Sequence, residues 1–561
     1  MQLVGKEFIK KNHVVLFFVT WFILNLIQAG TTGLFDDEAY YWVYSNYLAW
    51  GYFDHPPMIA ILIKAGYALF HNEFGVRLWI VTISTLTLVL IYRLIPRKND
   101  GLFYTISCSA CLLQIGGIIA VPDIPLAFFV ALFFVTYKMF LRKMSLLNTL
   151  FLGMVMALLL YTKYHGILVI LFTFFSNPKL ALKPRAYLAP LIGAVLFLPH
   201  LYWQYTHGFP SVQYHLIERN APVYEVSFTL HYLFDQILLP GPLVGWVLIW
   251  AAFNYKARDQ VERALKFSMI GFYLFFLVST AKGTVEANWT VPVLIPLIIL
   301  SHQYLLNRDE WKRALLWFLP LNLLMVLFVR IYMMLDVVPL ELLTKDEFHK
   351  NEQWAEIIKK KTGGLPLVFI NSYQKASKYL YYAGVPAFSL NTPTYRRNNY
   401  NFWPIEDSLY GKRVAAISPY AYSYYKERVH TPLGQTGIMI VDSFFSFSKS
   451  KITPLKKPEV VNGSIIACML EISTPQPYLT RFQTERLRNE TIELTIYIDE
   501  DKPQNISTGI RLSDITKTQQ VIIASFRVNL PKGKYSAGFA MPTSLAIDPS
   551  LNSSIFKLVV R

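Results

Sequence analysis

The sequence predicts a polytopic α-helical membrane protein that carries soluble α/β and β-rich domains at its C-terminal end. The chain has 561 residues, of which 54% are hydrophobic and only 16% are charged. Its apolar residues form long blocks separated by short basic stretches, the pattern of helices that cross a hydrocarbon layer about 30 Å thick with roughly 20 residues each. After about residue 340 this pattern gives way to the composition of a globular protein.

The predicted domains follow from this change of composition. Residues 1–340 form the membrane domain, 341–464 a soluble α/β module, and 465–561 a β-rich domain. We expect about eleven to thirteen transmembrane helices. The candidate spans are 13–30, 77–94, 102–120, 124–141, 147–162, 164–177, 187–204, 237–254, 266–281, 289–305 and 314–335.

Basic residues define one face of the membrane. With eleven spans, all the basic clusters fall on the side of the N terminus, which the positive-inside tendency makes cytoplasmic. The clusters are Lys6/Lys10/Lys11, Arg93/Arg97/Lys98, Lys138/Arg142/Lys143, Lys179/Lys183/Arg185, Lys256/Arg258/Arg263/Lys266 and Arg308/Lys312/Arg313. The formal charge of +17 is therefore attributed to topology and anionic lipid, and no nucleic-acid partner is expected. The three cysteines indicate neither a disulfide framework nor a metal knuckle.

Acidic residues and histidines gather on the opposite face. They occur in the first outer loop, 31–76, in the turns at 122–125 and 163–165, in the aromatic loop 204–236 and in the turn 282–288. A transporter more often places its ionisable residues near the bilayer midplane. Their position at one set of helix ends favours a catalytic site at the outer face.

The soluble tail is predicted from its periodicity. Residues 346–362 are typical of an amphipathic helix, and LPLVFIN (365–371), a helix at 373–383 and a strand at 414–417 indicate an α/β unit. The alternating segments 492–498 and 521–528 indicate a small antiparallel sandwich.

The first motif, DEAYYW, follows the first span. The carboxylate of Asp37 is suited to removing a proton from an acceptor hydroxyl or phosphate. Asp36 is the adjacent competitor and Glu38 a candidate for substrate binding. The alternative is a solvated loop.

The second motif is GYFDHPP. Pro56 and Pro57 restrict the backbone and so direct Asp54 and His55, which are candidates for contacting a phosphate or a metal. The alternative is an ordinary interfacial histidine. The apolar stretch 56–72 is predicted to form an interfacial helix and not a span.

The third motif is PDIPL. Prolines on both sides of Asp123 predict a tight outer turn that directs its carboxylate, although an acid at this place is also a common helix N-cap. A second acid suits a site that handles an anionic lipid with or without a divalent ion. Metal dependence is left open, with Asp54, His55 and Asp123 as the candidate ligands.

The fourth motif is KYH. Lys163 lies on the outer side against the positive-inside tendency, so it is either a snorkelling side chain or a cation that pairs with phosphate. Tyr164, with His207 and Arg219 of the following aromatic loop, completes the predicted substrate-binding set. Asn288-Trp289, with Lys282 and Glu286 nearby, ranks lower.

No Walker loop, dinucleotide fingerprint or nucleophile elbow is present, and no soluble nucleotide-sugar domain. An activated sugar would therefore have to arrive on a lipid from within the membrane.

At these motifs the chain resembles the GT-C membrane glycosyltransferases, in the branch of the protein O-mannosyltransferases and the lipid A aminoarabinose transferases. The resemblance is densest over residues 30–220. It rests on DEAYYWVYSNYLAWGYFDHPPM, EFGVRLW, VPDIPLAFF, YTKYHGIL and WQYTHGFPSV, and continues more thinly through EANWT and VFINSYQKASKYLYYAG.

The resemblance implies transfer of a sugar from a polyprenyl phosphate at the outer face of a bacterial cytoplasmic membrane, with the C-terminal domain periplasmic. It implies that Asp37 is the catalytic base, that Asp123 is the acid of the second loop, and that Lys163 is the lysine of the branch's Ser/Thr-Lys-Tyr turn. His55 departs from the lysine that the aminoarabinose enzymes tend to show before Pro-Pro. The resemblance identifies no counterpart for the region 465–561.

The predicted reaction is an inverting displacement at the anomeric carbon, with the acceptor being lipid A, another glycolipid, a glycan or a protein. Two other functions are kept. One is a transporter or flippase of a lipid-linked sugar, which would show intramembrane charge pairs and internal repeats. The other is an assembly or sensor protein, in which the outer acids would be dispensable.

Overall fold

The structure is a computed structural model that describes residues 2–215, 219, 223–337, 345–393, 395–418, 425, 427–456, 458–499, 502–545 and 549–561. The chain divides into two compact units, Met1–His349 and Lys350–Arg561. The predicted boundary between residues 464 and 465 falls inside the second unit.

The first unit is helical. Its helices are α1 (Gln2–Thr31), α2 (Asp36–Asn46), α3 (Met58–Tyr67), α4 (Glu73–Leu94), α5 (Asp100–Ser109), α6 (Cys111–Gln114), α7 (Asp123–Arg142), α8 (Leu146–Thr162), α9 (Gly166–Ser176), α10 (Pro184–Thr206), α11 (Pro210–Gln213), α12 (Val226–Leu238), α13 (Gly245–Asn254), α14 (Gln260–Ser279), α15 (Leu294–Leu305) and α16 (Asp309–Met334). Short 3-10 helices cover Gly116–Ile118, Pro178–Leu182, Thr280–Lys282 and Ala287–Val293.

Among the described residues, six helices are long and apolar enough to cross a membrane: α1, α4, α7, α10, α14 and α16. A seventh span results if α5 and the segment Cys111–Ile118, bent by 77°, are counted together. The predicted polytopic helical membrane protein is therefore confirmed. Other predicted spans correspond to shorter apolar helices such as α8 and α9, so the count of eleven stays a prediction.

The predicted span 237–254 is wrong as a single helix. Helix α12 ends at Leu238 and α13 begins at Gly245. Between them Pro240 and Pro242 lack the N–H group that a helix needs, and Gly241 has φ +146°. A side chain would also be crowded at Gly241, since an added Cβ would lie 2.7 Å from the carbonyl oxygen of Ser109.

Apolar side chains of the first unit are divided between a buried core and the helix surfaces. Phe103, Phe134 and Ile298 belong to a large core that joins α5, α7 and α15. Large apolar side chains such as Trp317 and Leu324 on α16 are exposed, which suits contact with hydrocarbon.

The second unit combines helices and sheets. Its helices are α17 (Asn351–Lys361), α18 (Tyr373–Ala383), α19 (Ile405–Leu409) and α20 (Gln476–Phe482). Its strands are β1 (Leu367–Ile370), β2 (Ala387–Leu390), β3 (Val414–Ser418), β4 (Glu427–Thr431), β5 (Gly434–Val441), β6 (Lys451–Pro454), β7 (Glu459–Val460), β8 (Ile465–Ser473), β9 (Thr491–Asp499), β10 (Lys502–Arg511), β11 (Gln519–Arg527), β12 (Gly533–Ala540) and β13 (Phe556–Val560).

The predicted α/β unit and sandwich are both present in the tail. The first sheet has the order β2-β1-β3-β5-β4, and its strands β1, β2 and β3 are parallel. The other two sheets, β10-β9-β12-β13-β7 and β11-β8-β6, share one apolar core that includes Leu470, Leu494 and Phe539. Pairing in the sandwich is antiparallel except between β13 and β7.

Candidate active site

The three acids of the first motif form the first turn of α2, and the structure separates them. Asp36 is buried and its carboxylate pairs with the Lys345 ammonium. Glu38 is fully buried, whereas Asp37 is partly exposed. Carboxylates in a first helical turn are stabilised by the helix dipole. Of the three, Asp37 therefore presents the most accessible carboxylate.

Glu38 is held in a buried ion pair with Arg77 of α4. The Arg77 Nε donates to Glu38 Oε1 at 2.7 Å, and the backbone N–H groups of Phe35 and Ala120 donate to the same carboxylate at 2.9 and 2.6 Å. Arg77 also donates to the carbonyl oxygen of Ala29 near the end of α1 and to those of Thr32 and Gly33, which follow it. Protein donors therefore contact both oxygens of the Glu38 carboxylate, and the substrate contact of Glu38 stays a prediction.

Arg77 was absent from the predicted site, although it stands in EFGVRLW. The sequence signal that would have identified it is an arginine near the start of an apolar helix, which needs a partner.

The second motif packs against α2. The hydroxyl groups of Tyr40 and Tyr44 donate to Asp54 Oδ2 at 3.1 and 3.3 Å. The partly exposed His55 ring lies edge to face with Tyr41, with ring centroids 5.6 Å apart. The DEAYYW and FDHPP motifs therefore form one substructure.

Tyr164 ties this loop to α10. Its hydroxyl lies 3.0 Å from both His200 Nε2 and Ser211 Oγ. Ser211 donates to the carbonyl oxygen of Phe53 at 2.7 Å, and His200 Nδ1 lies 2.8 Å from that of Trp50. Tyr164 is thus placed in a hydrogen-bonding network that positions the backbone before Asp54.

The third and fourth motifs meet in a buried ion pair. The Lys163 ammonium lies 2.7 Å from Asp123 Oδ1, and the Asn288 amide donates to Asp123 Oδ2 at 2.9 Å. Lys163 and Asp123 are 4% and 2% exposed. Lysine thus does not snorkel here, and Asp123 links three segments that are far apart in the sequence.

The turn 282–288, which ranks lower in the sequence analysis, and the residues directly after it contact the predicted site residues. Arg219 donates to Glu286 Oε1 at 2.6 Å, and its guanidinium lies 4.4 Å from the centre of the Trp289 ring. The Trp289 ring in turn lies 5.3 Å from that of His165. Glu286, Asn288 and Trp289 therefore contact the predicted site residues Arg219 and Asp123, which a short turn without prolines gives no sequence sign of.

Two histidines near the predicted site residues have lowered pKa values. Burial, and next the Lys163 ammonium, hold the pKa of His165 well below the usual value, with further contributions from His215, His55 and Arg219. Burial also lowers the pKa of His215, against the opposing effect of Asp54. Burial therefore disfavours the protonated form of both imidazoles.

His207 and Lys282 are exposed. The His207 ring stacks on Trp203 with centroids 4.2 Å apart, and its Nδ1 lies 2.8 Å from the Trp203 carbonyl oxygen. It occupies the end of α10.

Among the described residues, Asp54, His55 and Asp123 do not form a group with metal-ligand spacing, and metal dependence stays open. The oxygens of Asp123 accept from Lys163 and Asn288, where a bound cation would have to displace an ammonium. In the part of the chain that the structure describes, the group of acids and histidines with metal-ligand spacing is Asp336, Asp346 and His349.

Comparisons with known proteins agree with this architecture. The family described as dolichyl-phosphate-mannose-protein mannosyltransferase matches residues 54–203. The lipid A galacturonosyltransferase RgtD of Rhizobium johnstonii is 24% identical over 328 residues, which are 55% of this chain and 68% of that protein.

Solved structures of ArnT from Cupriavidus metallidurans are also similar. The form bound to undecaprenyl phosphate gives a TM-score of 0.56 at 13% identity, covering 76% of this chain and 98% of that one. The apo form gives 0.55 at 14% identity with the same coverage.

Proposed function

We propose that this polytopic membrane protein transfers a sugar from a polyprenyl phosphate to a glycolipid acceptor of the lipid A type. It has the fold of the GT-C membrane glycosyltransferases and resembles their mannosyl- and aminoarabinosyltransferase branch. The matched family and the galacturonosyltransferase relative both support a transferase. The relative's name supports the acceptor class, and the ligand of the similar solved structure supports the lipid-phosphate carrier. A glycan or a protein is the less favoured acceptor.

The observation that carries the proposal is the convergence of separate segments at Asp123 and Trp289. Asp123 binds both Lys163 and Asn288, and the centre of the Trp289 ring lies 4.4 Å from the Arg219 guanidinium and 5.3 Å from the centre of the His165 ring. Cationic and hydrogen-bonding groups gathered at one set of helix ends suit a phosphate that leaves with negative charge.

Each side chain has a role in the proposed reaction. Asp37 accepts the proton of the acceptor hydroxyl, whose oxygen then attacks the anomeric carbon. The bond from that carbon to the phosphate oxygen breaks, the electron pair leaves with the lipid phosphate, and the anomeric centre inverts. Arg219, Lys163 and His55 stabilise the departing phosphate, while the Lys163–Asp123 and Arg77–Glu38 pairs hold the segments in position.

We place the site at the outer face of the bacterial cytoplasmic membrane, with the second unit in the periplasm. The support is the segregation of the basic clusters to the ends of the helices opposite Asp37 and Asp123.

The test is a labelled polyprenyl-phosphate sugar incubated with the purified protein and lipid A. Labelled lipid A is the expected product, and Asp37→Asn should reduce its rate about 10²- to 10⁴-fold because the general base is lost. Asp36→Asn is the matched control, since its carboxylate pairs with Lys345, and should retain most activity. Near-normal transfer by Asp37→Asn would contradict the role of Asp37. Movement of the lipid across liposomes without product would instead select the flippase.

A further inference from the structure

An arginine inside the last long helix is held by neutral groups. Arg330 of α16 donates from Nε to Gln28 Oε1 at 2.5 Å, from Nη1 to Gln114 Oε1 at 2.7 Å, and from Nη2 to Asn25 Oδ1 at 2.8 Å. Three amide oxygens from α1 and α6 therefore surround one guanidinium.

These contacts leave the charge of Arg330 without an anion. The guanidinium is permanently protonated, and no carboxylate lies within ion-pair distance of it among the residues that the structure describes. A charged side chain within a membrane helix is costly and normally has a counter-charge or a functional ligand. The buried Arg77 of the same chain has such a counter-charge, because it forms an ion pair with Glu38.

The Asn25 side chain, beside Arg330, has a hydrogen-bond donor without an acceptor among the described residues. Asn25 is 1% exposed, and its Nδ2 has no hydrogen-bond partner in the described part of the chain. Its Oδ1 accepts from Arg330 Nη2, so this amide nitrogen lies beside the guanidinium. A buried donor without an acceptor is destabilising. The cluster thus has both an unmatched charge and an unmatched donor.

Arg330 lies beside an exposed apolar surface near the end of its helix. Arg330 precedes the end of α16 by four residues, or about 6 Å at 1.5 Å per residue. Large apolar side chains next to it on both helices are exposed: Ile23, Leu24 and Ile27 on α1, and Leu327, Phe328 and Ile331 on α16. Arg330 itself is partly exposed. An anion would therefore come from lipid at headgroup depth.

We propose that Arg330, Asn25, Gln28 and Gln114 form a binding site for a lipid-borne phosphate. The guanidinium offers N–H groups in the fork geometry that suits phosphate oxygens, and Asn25 Nδ2 adds one donor. Gln28 and Gln114 orient the guanidinium through their amide oxygens. The site shares no residue with the candidate active site, so it does not depend on the proposed glycosyl transfer.

The test measures lipid binding to the full-length protein in a neutral detergent. Undecaprenyl phosphate, phosphatidylglycerol, phosphatidylcholine and inorganic phosphate are titrated separately, with thermal unfolding and native mass spectrometry as readouts. At least one of the two anionic lipids should bind and raise the Tm, and the stronger one identifies the source of the phosphate. Arg330→Gln should raise the Kd of that lipid at least about tenfold, the effect of losing one charge-assisted contact.

The control is Arg142→Gln, which removes an equal charge from the exposed last turn of α7 and should leave the Kd unchanged. Asn25→Asp distinguishes lost binding from lost folding. It breaks no hydrogen bond among the described residues, since Asn25 Nδ2 has none, and it supplies the missing negative charge. This variant should unfold at or above the wild-type temperature without lipid, yet lose affinity for the anionic lipid.

Wild-type affinity in both Arg330→Gln and Asn25→Asp would overturn the proposal. So would equal binding of phosphatidylcholine, because the charge argument would fail, or equal binding of inorganic phosphate, because the lipid would then be irrelevant.

Discussion

The Lys163 ammonium lies 2.7 Å from Oδ1 of Asp123, although the two residues are 40 positions apart in the sequence. Both side chains are almost fully buried, where α7 begins and directly after α8 ends. The pair thus joins two motifs that were predicted separately, and Asn288 extends it to a third segment.

We expect Lys163→Met to destabilise the protein as well as to reduce transfer. Removing one partner leaves the Asp123 carboxylate buried without its cation, which costs about 3–5 kcal/mol in comparable pairs. Thermal unfolding in detergent measures the first effect and product formation the second. The double variant Asp123→Leu/Lys163→Met should recover most of the stability but no activity. If Lys163→Met alone unfolds at the wild-type temperature, the pair does not hold the turn.

Breaking the Arg77–Glu38 ion pair should destabilise the protein more than breaking an exposed ion pair. Glu38→Gln would leave a fully buried guanidinium without a counter-charge, so a loss of about 3–5 kcal/mol is expected. Arg77→Lys should also be destabilising, because one ammonium group cannot donate to Glu38, Ala29 and Gly33 together as the guanidinium does.

Asp309→Asn is the control for this prediction. It breaks the exposed Lys312–Asp309 pair in the first turn of α16, and no measurable change in Tm is expected. A similar Tm shift in the two variants would contradict the structural role of Glu38.

Stability should fall as the pH drops below about 6.5, the usual value for histidine in an unfolded chain. Burial and the Lys163 ammonium lower the pKa of His165 in the folded protein, and burial lowers that of His215. As the pH falls, the two histidines bind protons in the unfolded chain before they do so in the folded protein. Their contribution to the free energy of unfolding is therefore complete above pH 6.5 and is lost below it.

Thermal unfolding between pH 5 and pH 7 measures this dependence. His165→Gln should have a shallower slope of Tm against pH than the wild type. His207→Gln, at an exposed position, should keep the wild-type slope. An unchanged slope in His165→Gln would show that the imidazole is not the group that titrates.

Gly51→Ala should reduce transfer without direct contact with the substrate. An added Cβ would lie 2.5 Å from Trp203 Cε3 and 2.9 Å from His200 Nδ1, so the loop before Asp54 and His55 would have to move. A displacement of about 1 Å at a catalytic group can cost about 10²-fold in rate. Gly101→Ala is the matched control, because its nearest atom is 3.6 Å away. Equal rates for both variants would show that this loop does not position the site.

The coarse arrangement could be predicted because it depends on local sequence. Apolar blocks such as 124–141 are long enough to predict α7, and the alternation at 492–498 predicts β9. The exception at 237–254 shows the limit of this reasoning. The mean hydropathy of this block predicts one continuous helix. Pro240, Gly241 and Pro242 do not allow it, and α12 ends before them.

The sequence by itself determined the fold class, the polytopic helical architecture and the ionisable residues that gather at one set of helix ends. Tertiary structure alone decided their partners: Asp123 binds Lys163 and Asn288, Glu38 binds the unpredicted Arg77, and Asp36 binds Lys345, which leaves Asp37 partly exposed. The physical reason is that hydropathy and periodicity are sums over neighbours in the chain. An ion pair, in contrast, depends on how two helices rotate and pack over long sequence separations.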